Sequence, residues 1–350
     1  MTVSSFLKAG FLTLILVVAF FTSWELFLRS RGIKISYDDG ESLWADKRAM
    51  VYEPQDDATV FIGSSRNKYD LDIETWRSLT GDHPIQLAIE GNSPLPVLDD
   101  LARDKNFKGK LIIDVTEGLF FTTNPQNISE PQDRIKYYHK RTPAQRFSFL
   151  VNKVLEDHLV FLDKNYFSLN ALLDRMPVKK RAGVFALPYD CPRDFGAVTF
   201  DRQDIMTDRF LRDTVIQNQV KGLWDFYRKT NTEGLPSRHK ADSILATVKA
   251  DVDQIKARGG QIIFVRTPSS GPYLAGEKMA FPREKFWERI LAVTGCPGIH
   301  FEDHPAIAHF VCPEFSHLKH SDAIVFTTNL VKILREEKGW RFPHSTVAIQ

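Results

Sequence analysis

The stretch Ala58-Thr-Val-Phe-Ile-Gly-Ser-Ser-Arg-Asn-Lys-Tyr-Asp70 holds a strand, a tight turn and the approach to a helix. A short β-branched run, Thr59 to Ile62, breaks at Gly63 and delivers Ser64 and Ser65 onto the turn; Asp70 to Thr80 then reads as a helix. An α/β fold places nucleophiles and ligands in this position, outside the carboxyl ends of buried parallel strands. Gly-Ser-Ser is also ordinary loop composition, so a plain turn stands beside the nucleophile reading.

Four further apolar runs have the same character: Ile85–Ile89, Leu111–Val115, Gln261–Val265 and Gly298–Phe301. Short continuous Val/Ile/Leu/Phe runs suit a parallel sheet covered on both faces. Helical patterns lie between them. Ala241 to Arg258 carries Ile244, Leu245, Val248, Val252 and Ile255 at helical spacing and stops at Gly259-Gly260. Pro282 to Thr294 opens on a proline, and Ser321 to Lys338 ends at Gly339. Strand and helix alternate, which predicts an α/β fold with right-handed crossovers. Residues 124–240 break the rhythm. Helical pieces (Ala144–Leu162, Asp208–Arg228) surround a Pro/Gly-rich centre, Gly183 to Gly196, and the whole reads as one largely helical insertion at the carboxyl edge of the sheet.

Near the amino terminus, Ala9 to Trp24 carries no charge, and only Glu25 interrupts the apolar pattern before Arg29. Some 20 helical residues, at about 1.5 Å each, span a hydrocarbon core of roughly 30 Å. No small-x-small cleavage site follows, so an uncleaved transmembrane anchor over 9–28 is expected, after a short tail of residues 1–8. Residues 29–57 read as a stalk, 58–340 as the α/β domain, and 341–350 as a tail. Lys8 lies on one side of the span and Arg29, Arg31 and Lys34 on the other, so the positive-inside count alone leaves the large domain in the cytoplasm. With 350 residues, 43% hydrophobic and 26% charged, the chain has ordinary globular composition. A net charge of +2 excludes nothing by itself and gives no support to nucleic-acid binding, which usually shows a concentrated basic face.

A second feature stands near the far end: Pro313-Glu-Phe-Ser-His-Leu318, just before the last helical pattern. Together with Gly63-Ser64-Ser65 it resembles the SGNH/GDSL hydrolase superfamily, in which a Gly-Asp-Ser-like turn carries the nucleophile and an Asp-x-x-His carries acid and base. The resemblance puts Ser65 at the nucleophile, with Ser64 in place of the usual Asp, and Glu314 and His317 at the acid and base, with Glu in place of Asp. The block with a glycine after the second strand fits Gly91-Asn92-Ser93. The block Gly-x-Asn after the third strand finds no Asn, because Glu117 occupies its approximate place. The resemblance covers roughly residues 58–125 and 240–338. It implies a three-layer, flavodoxin-like parallel sheet flanked by helices. It also implies a likeness to the membrane-anchored members that accompany membrane-bound O-acyltransferases, such as the D-alanyl transfer protein of teichoic acid modification and the alginate acetylation proteins. Under that likeness the large domain faces the periplasm or outside of the cytoplasmic membrane, the partners are a membrane-bound O-acyltransferase and a cell-surface glycan, and no cofactor is needed.

The chemistry follows from the residue types. A serine hydroxyl is a weak nucleophile, so Ser65 needs His317 to take its proton, and Glu314, three residues before, can hold the other imidazole nitrogen. The backbone N–H groups of Ser65 and Gly91 are the natural oxyanion donors. Asn92 and Arg66 are candidates for the missing donor, and Arg66 and Arg266 for binding substrate. Acyl transfer onto a polysaccharide, ester hydrolysis at the same site, and a catalytically silent adaptor all remain open. His300, His304, His309, His317 and His320 crowd one region beside Asp303, but their spacing matches no zinc pattern, so no metal is expected. Cys296 and Cys312 bracket the loop before His317, and with Cys191 they are read either as a disulfide-pinned loop or as three reduced thiols.

Overall fold

A computed structural model describes residues 3–54, 57–173, 176, 191–230 and 234–342. The chain divides into two compact units, Asp39–Thr142 with Leu187–Gln350, and Met1–Asp38 with Pro143–Ala186.

The larger unit is built on a parallel sheet of five strands: β1 (Ala58–Ile62), β2 (His83–Gln86), β3 (Lys110–Asp114), β6 (Gln261–Arg266) and β7 (Gly298–His300), in the order β2-β1-β3-β6-β7. The remaining two strands, β4 (Gly196–Val198) and β5 (Asp204–Met206), pair antiparallel as a separate hairpin. All five predicted strands are present, with ends shifted by a residue or more. The second is displaced most: its ladder runs over His83–Gln86, and Leu87 and Ile89 follow as irregular backbone whose N–H groups still reach the Phe61 and Gly63 carbonyls.

Alternate side chains divide the core between the two faces of the sheet, as the pleat requires. Val60, Ile62, Leu111, Ile113, Ile262 and Phe264 face one way, against the helices Leu95–Arg103, Arg238–Ala257 and Trp287–Thr294. Phe61, Ile112, Ile263 and Val265 face the other, against Trp76 of helix Ile73–Thr80 and the apolar stripe of helix His320–Glu336. Both faces are therefore covered, which is why the strands read as unbroken apolar runs.

Three expectations change. The helix expected over Asp70–Thr80 is two helices, Ser65–Asp70 and Ile73–Thr80, so helix begins immediately at Ser65. The break falls at Leu71-Asp72, where Asp72 caps the second helix by accepting the Thr75 N–H at 2.8 Å. Within the stretch expected as a stalk, Glu41–Ala49 is a helix whose Trp44 is buried in the core and donates its indole N–H to the Leu87 carbonyl at 3.0 Å. The domain thus begins at Asp39. The expected single insertion over 124–240 divides between the units, Pro143–Ala186 grouping with the amino-terminal residues. Much of its Pro/Gly-rich centre, 183–190, lies outside the described residues, as do 343–350 of the expected tail and residues 1–2.

The smaller unit contains helix Val3–Ser30, helix Pro143–Glu156, and two short helices, Lys164–Phe167 and Leu169–Leu173. Residues Ser5–Ser30 have a mean hydropathy of 2.1 over their most apolar window, long and apolar enough to cross a bilayer.

Candidate active site

The order of the sheet reverses between β1 and β3, and the crevice outside their carboxyl ends is where open α/β sheets bind ligands. Ser64 and Ser65 leave the end of β1 at that crevice. Gly63 makes the departure possible: a Cβ there would stand 2.6 Å from Asp114 Cβ and 2.9 Å from Asn67 Cβ, distances no side chain tolerates. Ser64, fully buried, ties the turn to the end of β3. Its hydroxyl lies 2.9 Å from Thr116 Oγ1 and 3.4 Å from Asp114 Oδ2. Ser65 is the first residue of its helix, so its backbone N–H has no intrahelical acceptor.

Across the site, the loop before the last helix brings His317 to Ser65. His317 Nε2 is 2.8 Å from Ser65 Oγ, and His317 Nδ1 is 3.0 Å from Glu314 Oε1. The Nδ1 proton donates to the carboxylate, which leaves Nε2 as the acceptor for the serine hydroxyl. Glu314 is wholly buried, and its oxygens are occupied. Oε1 also accepts the His317 backbone N–H at 2.7 Å, while Oε2 accepts the Ser316 N–H and the Trp224 indole N–H. Tyr69, Phe195 and Trp224 pack around the imidazole with ring centroids 4.7, 5.8 and 5.9 Å away, so the pair sits in a water-poor setting.

The loop carrying Glu314 and His317 is held at both ends. Phe315 takes a left-handed backbone conformation (φ 79°), and its carbonyl accepts the Ser270 N–H at 2.8 Å. Strain of this kind persists only where neighbours enforce it. The Ser270 hydroxyl in turn accepts the Cys312 N–H at 3.0 Å. On the far side Asp70 accepts the Leu318 N–H at 2.8 Å, and burial pushes the Asp70 carboxyl well above the ordinary range.

The two candidate arginines sit elsewhere than expected. Arg66 and Arg266 are almost wholly buried and turn toward a shared acid, Glu277. Arg66 gives one guanidinium nitrogen to Glu277 Oε1 at 2.5 Å and another to the Ser316 hydroxyl at 3.2 Å. Arg266 reaches Glu277 Oε2 at 2.7 Å and Glu117 at 3.0 Å. Burial would raise the Glu277 carboxyl, but Arg66 and Arg266 outweigh it and hold the group down at about 2. Burial raises Glu117 against the pull of Arg266. Glu117, where the SGNH pattern has Asn, is therefore the end of an ion network and offers no donor to an oxyanion.

Asn92 is likewise engaged: its amide group donates to the Glu90 carbonyl at 2.7 Å and to Glu130 at 3.1 Å. Gly91, at φ 65°, occupies a turn that only a residue without Cβ enters freely. The clustered histidines separate. His300 is buried against Trp287 and Phe301, His304 approaches Glu337, and His320 holds Asp72 at 2.8 Å. Cys191, Cys296 and Cys312 are all free, so the loop before His317 is pinned by hydrogen bonds and not by a disulfide.

Trp224, Tyr69, Phe195 and Glu277 were not singled out from sequence. Trp224 lies on helix Thr214–Thr230 among other aromatics, and nothing local marks it as the donor to Glu314. Ser65, His317 and Glu314 thus form one hydrogen-bonded series at the carboxyl edge of the sheet. No protein-family model matches this chain, and no curated protein matches it significantly.

Proposed function

We propose that the chain is a membrane-anchored serine acyl-transfer enzyme of SGNH type, moving an acetyl or similar acyl group onto or off a cell-envelope polysaccharide. One observation carries the reading: Ser65 Oγ, His317 Nε2 and Nδ1, and Glu314 Oε1 form a continuous hydrogen-bonded line with 2.8 and 3.0 Å steps. The strand order β2-β1-β3-β6-β7 is that of a flavodoxin-like, doubly wound sheet and suits the superfamily.

In this mechanism Ser65 Oγ attacks the acyl carbonyl as its proton passes to His317 Nε2. Glu314 stabilises the imidazolium through Nδ1–H. The backbone N–H groups of Ser65 and Gly91 receive the oxyanion. The tetrahedral intermediate collapses, the donor's leaving oxygen takes the proton from His317, and an acyl-serine remains. A sugar hydroxyl, deprotonated by His317, then attacks the acyl carbon and frees Ser65. Water in place of the sugar gives esterase activity through the same steps. The anchor fits action at the outer face of the cytoplasmic membrane, with a membrane-bound O-acyltransferase as the acyl source.

A second reading, a silent adaptor of the same fold, draws on Glu117 and Asn92. Neither supplies a side-chain donor, and loss of one oxyanion donor costs about 100- to 1000-fold in turnover. A fluorophosphonate probe on the full-length protein separates the readings. Labelling that disappears in Ser65→Ala and His317→Ala supports the enzyme; absence of labelling in folded protein supports the adaptor.

A further inference from the structure

Helix Pro143–Glu156 carries Phe147, Leu150, Val151, Val154 and Leu155 at spacings of three and four, which places them on one face of the helix. That face is open. Phe147 is 69% exposed, Leu150 56% and Val154 59%, whereas Glu156, on the opposite side, is buried. Leu172 and Leu173 of helix Leu169–Leu173, and Met176, are exposed apolar residues as well. A contiguous patch of this sort needs a partner.

The contacts inside this unit indicate which. Just beyond the helix, the chain docks on the carboxyl-terminal end of the apolar helix Val3–Ser30. Glu25, its one acidic residue, accepts the Val160 N–H at 3.0 Å and the Phe161 N–H at 3.3 Å, and Arg29 lies 2.7 Å from the same carboxylate. Arg29 also donates to the His158 carbonyl at 3.0 Å, and the Phe21 and Phe161 rings stack at 5.3 Å. A carboxylate near the end of a bilayer-spanning helix is costly unless its charge and lone pairs are met, and residues 158–161 meet them. The docking holds the Pro143–Glu156 segment at the level where the anchor leaves the hydrocarbon.

We propose that the apolar face of helix Pro143–Glu156 lies in the membrane interface, as a second, in-plane attachment beside the anchor; the inference rests on the reading of residues 5–30 as a spanning helix. Arg146 and Lys153 border the apolar face on one side, placed for anionic headgroups. The attachment gives the smaller unit two contacts with the bilayer in place of one.

The test uses full-length protein in vesicles of phosphatidylcholine and phosphatidylglycerol. With the exposed Cys191 changed to Ser, an environment-sensitive fluorophore is placed on single cysteines at Leu150, Val154, Asn152 and Val17. Phe147→Cys serves as a replacement should one face variant not fold. The expected result is a blue-shifted label at Leu150 and Val154, quenched by spin-labelled lipid and shielded from iodide, with the reverse at Asn152. Equal access of iodide to all three helix positions overturns the proposal. So does shielding from both quenchers, which would mean that protein covers the face. Val17 keeps the two readings apart. Lipid quenching at Val17 without quenching at Leu150 overturns the in-plane attachment alone, and none at Val17 overturns the anchor as well.

Discussion

Trp224 shows how a residue remote in sequence comes to support the acid beside His317. Its indole N–H is one of two donors to Glu314 Oε2, the other being the Ser316 N–H at 3.3 Å. A hydrogen bond to a buried charged group contributes about 1.5–3 kcal/mol. Trp224→Phe keeps most of the ring packing and removes that donor. The Ser65 labelling rate should fall about tenfold, with labelling still complete at long times. An unchanged rate would mean that Glu314 does not depend on Trp224 for its orientation. Arg66, next to Ser65, illustrates the opposite relation. Adjacency suggested a contact with substrate, yet its guanidinium faces Glu277 and the Ser316 hydroxyl and stabilises the loop behind His317.

At the level of elements, the joint between the two helices after β1 is tied to the start of the last helix. Asp72 accepts from Thr75, from Gln203 at 2.9 Å and from His320 at 2.8 Å, and its own N–H donates to Thr327. Burial opposes ionisation of Asp72, but its hydrogen bonds from His320, Thr75 and Gln203 hold the carboxyl well below the ordinary range. The hydrogen bond to Asp72 raises His320 above its ordinary value. A histidine whose folded value is raised contributes stability that is fully present below the unfolded value of about 6.5 and is lost as pH rises through the folded value. Asp72 stays ionised across that window. His320→Asn should therefore lower the urea midpoint most at about pH 5.5 and least at about pH 8.5. A deficit that is constant across this range would show that the contact is not titrating.

Over the whole of the larger unit, buried charge is the feature that composition conceals. Lys68, on the helix that opens with Ser65, is fully buried among Asp39, Glu90 and Asp204, and Arg202 binds Asp39 together with the Gln86 and Ala88 carbonyls. The cluster joins helix Ser65–Asp70, the irregular chain after β2 and the β4–β5 hairpin. Lys68→Met removes one cation and leaves the acids facing one another. Breaking a buried pair in this way costs about 3–5 kcal/mol. Urea denaturation should show that loss, and Lys68→Met with Asp204→Asn should recover part of it, because burial already raises Asp204 toward the neutral form. No recovery in the double variant would assign the loss to packing alone.

The sheet and the Ser65–His317–Glu314 series were legible in the order of residues because both are carried by local pattern. Apolar runs of strand length mark strands buried on two faces. A serine after the first strand and an acid three residues before a histidine are short-range spacings, and Ser65, Glu314 and His317 do meet. Hydropathy cannot reveal where Arg66, Lys68, Arg202 and Arg266 go, because a charged side chain reads as surface until its partner is known, and all of these partners are distant in sequence or in another element. The same holds for residues 41–49, whose mixed polarity suggested a stalk, and for Trp224. Their burial depends on pairing across 11 to more than 200 positions. Chain folding alone brings such positions together, so the ion network behind the site, the support of its acid and the true start of the domain were decided in three dimensions.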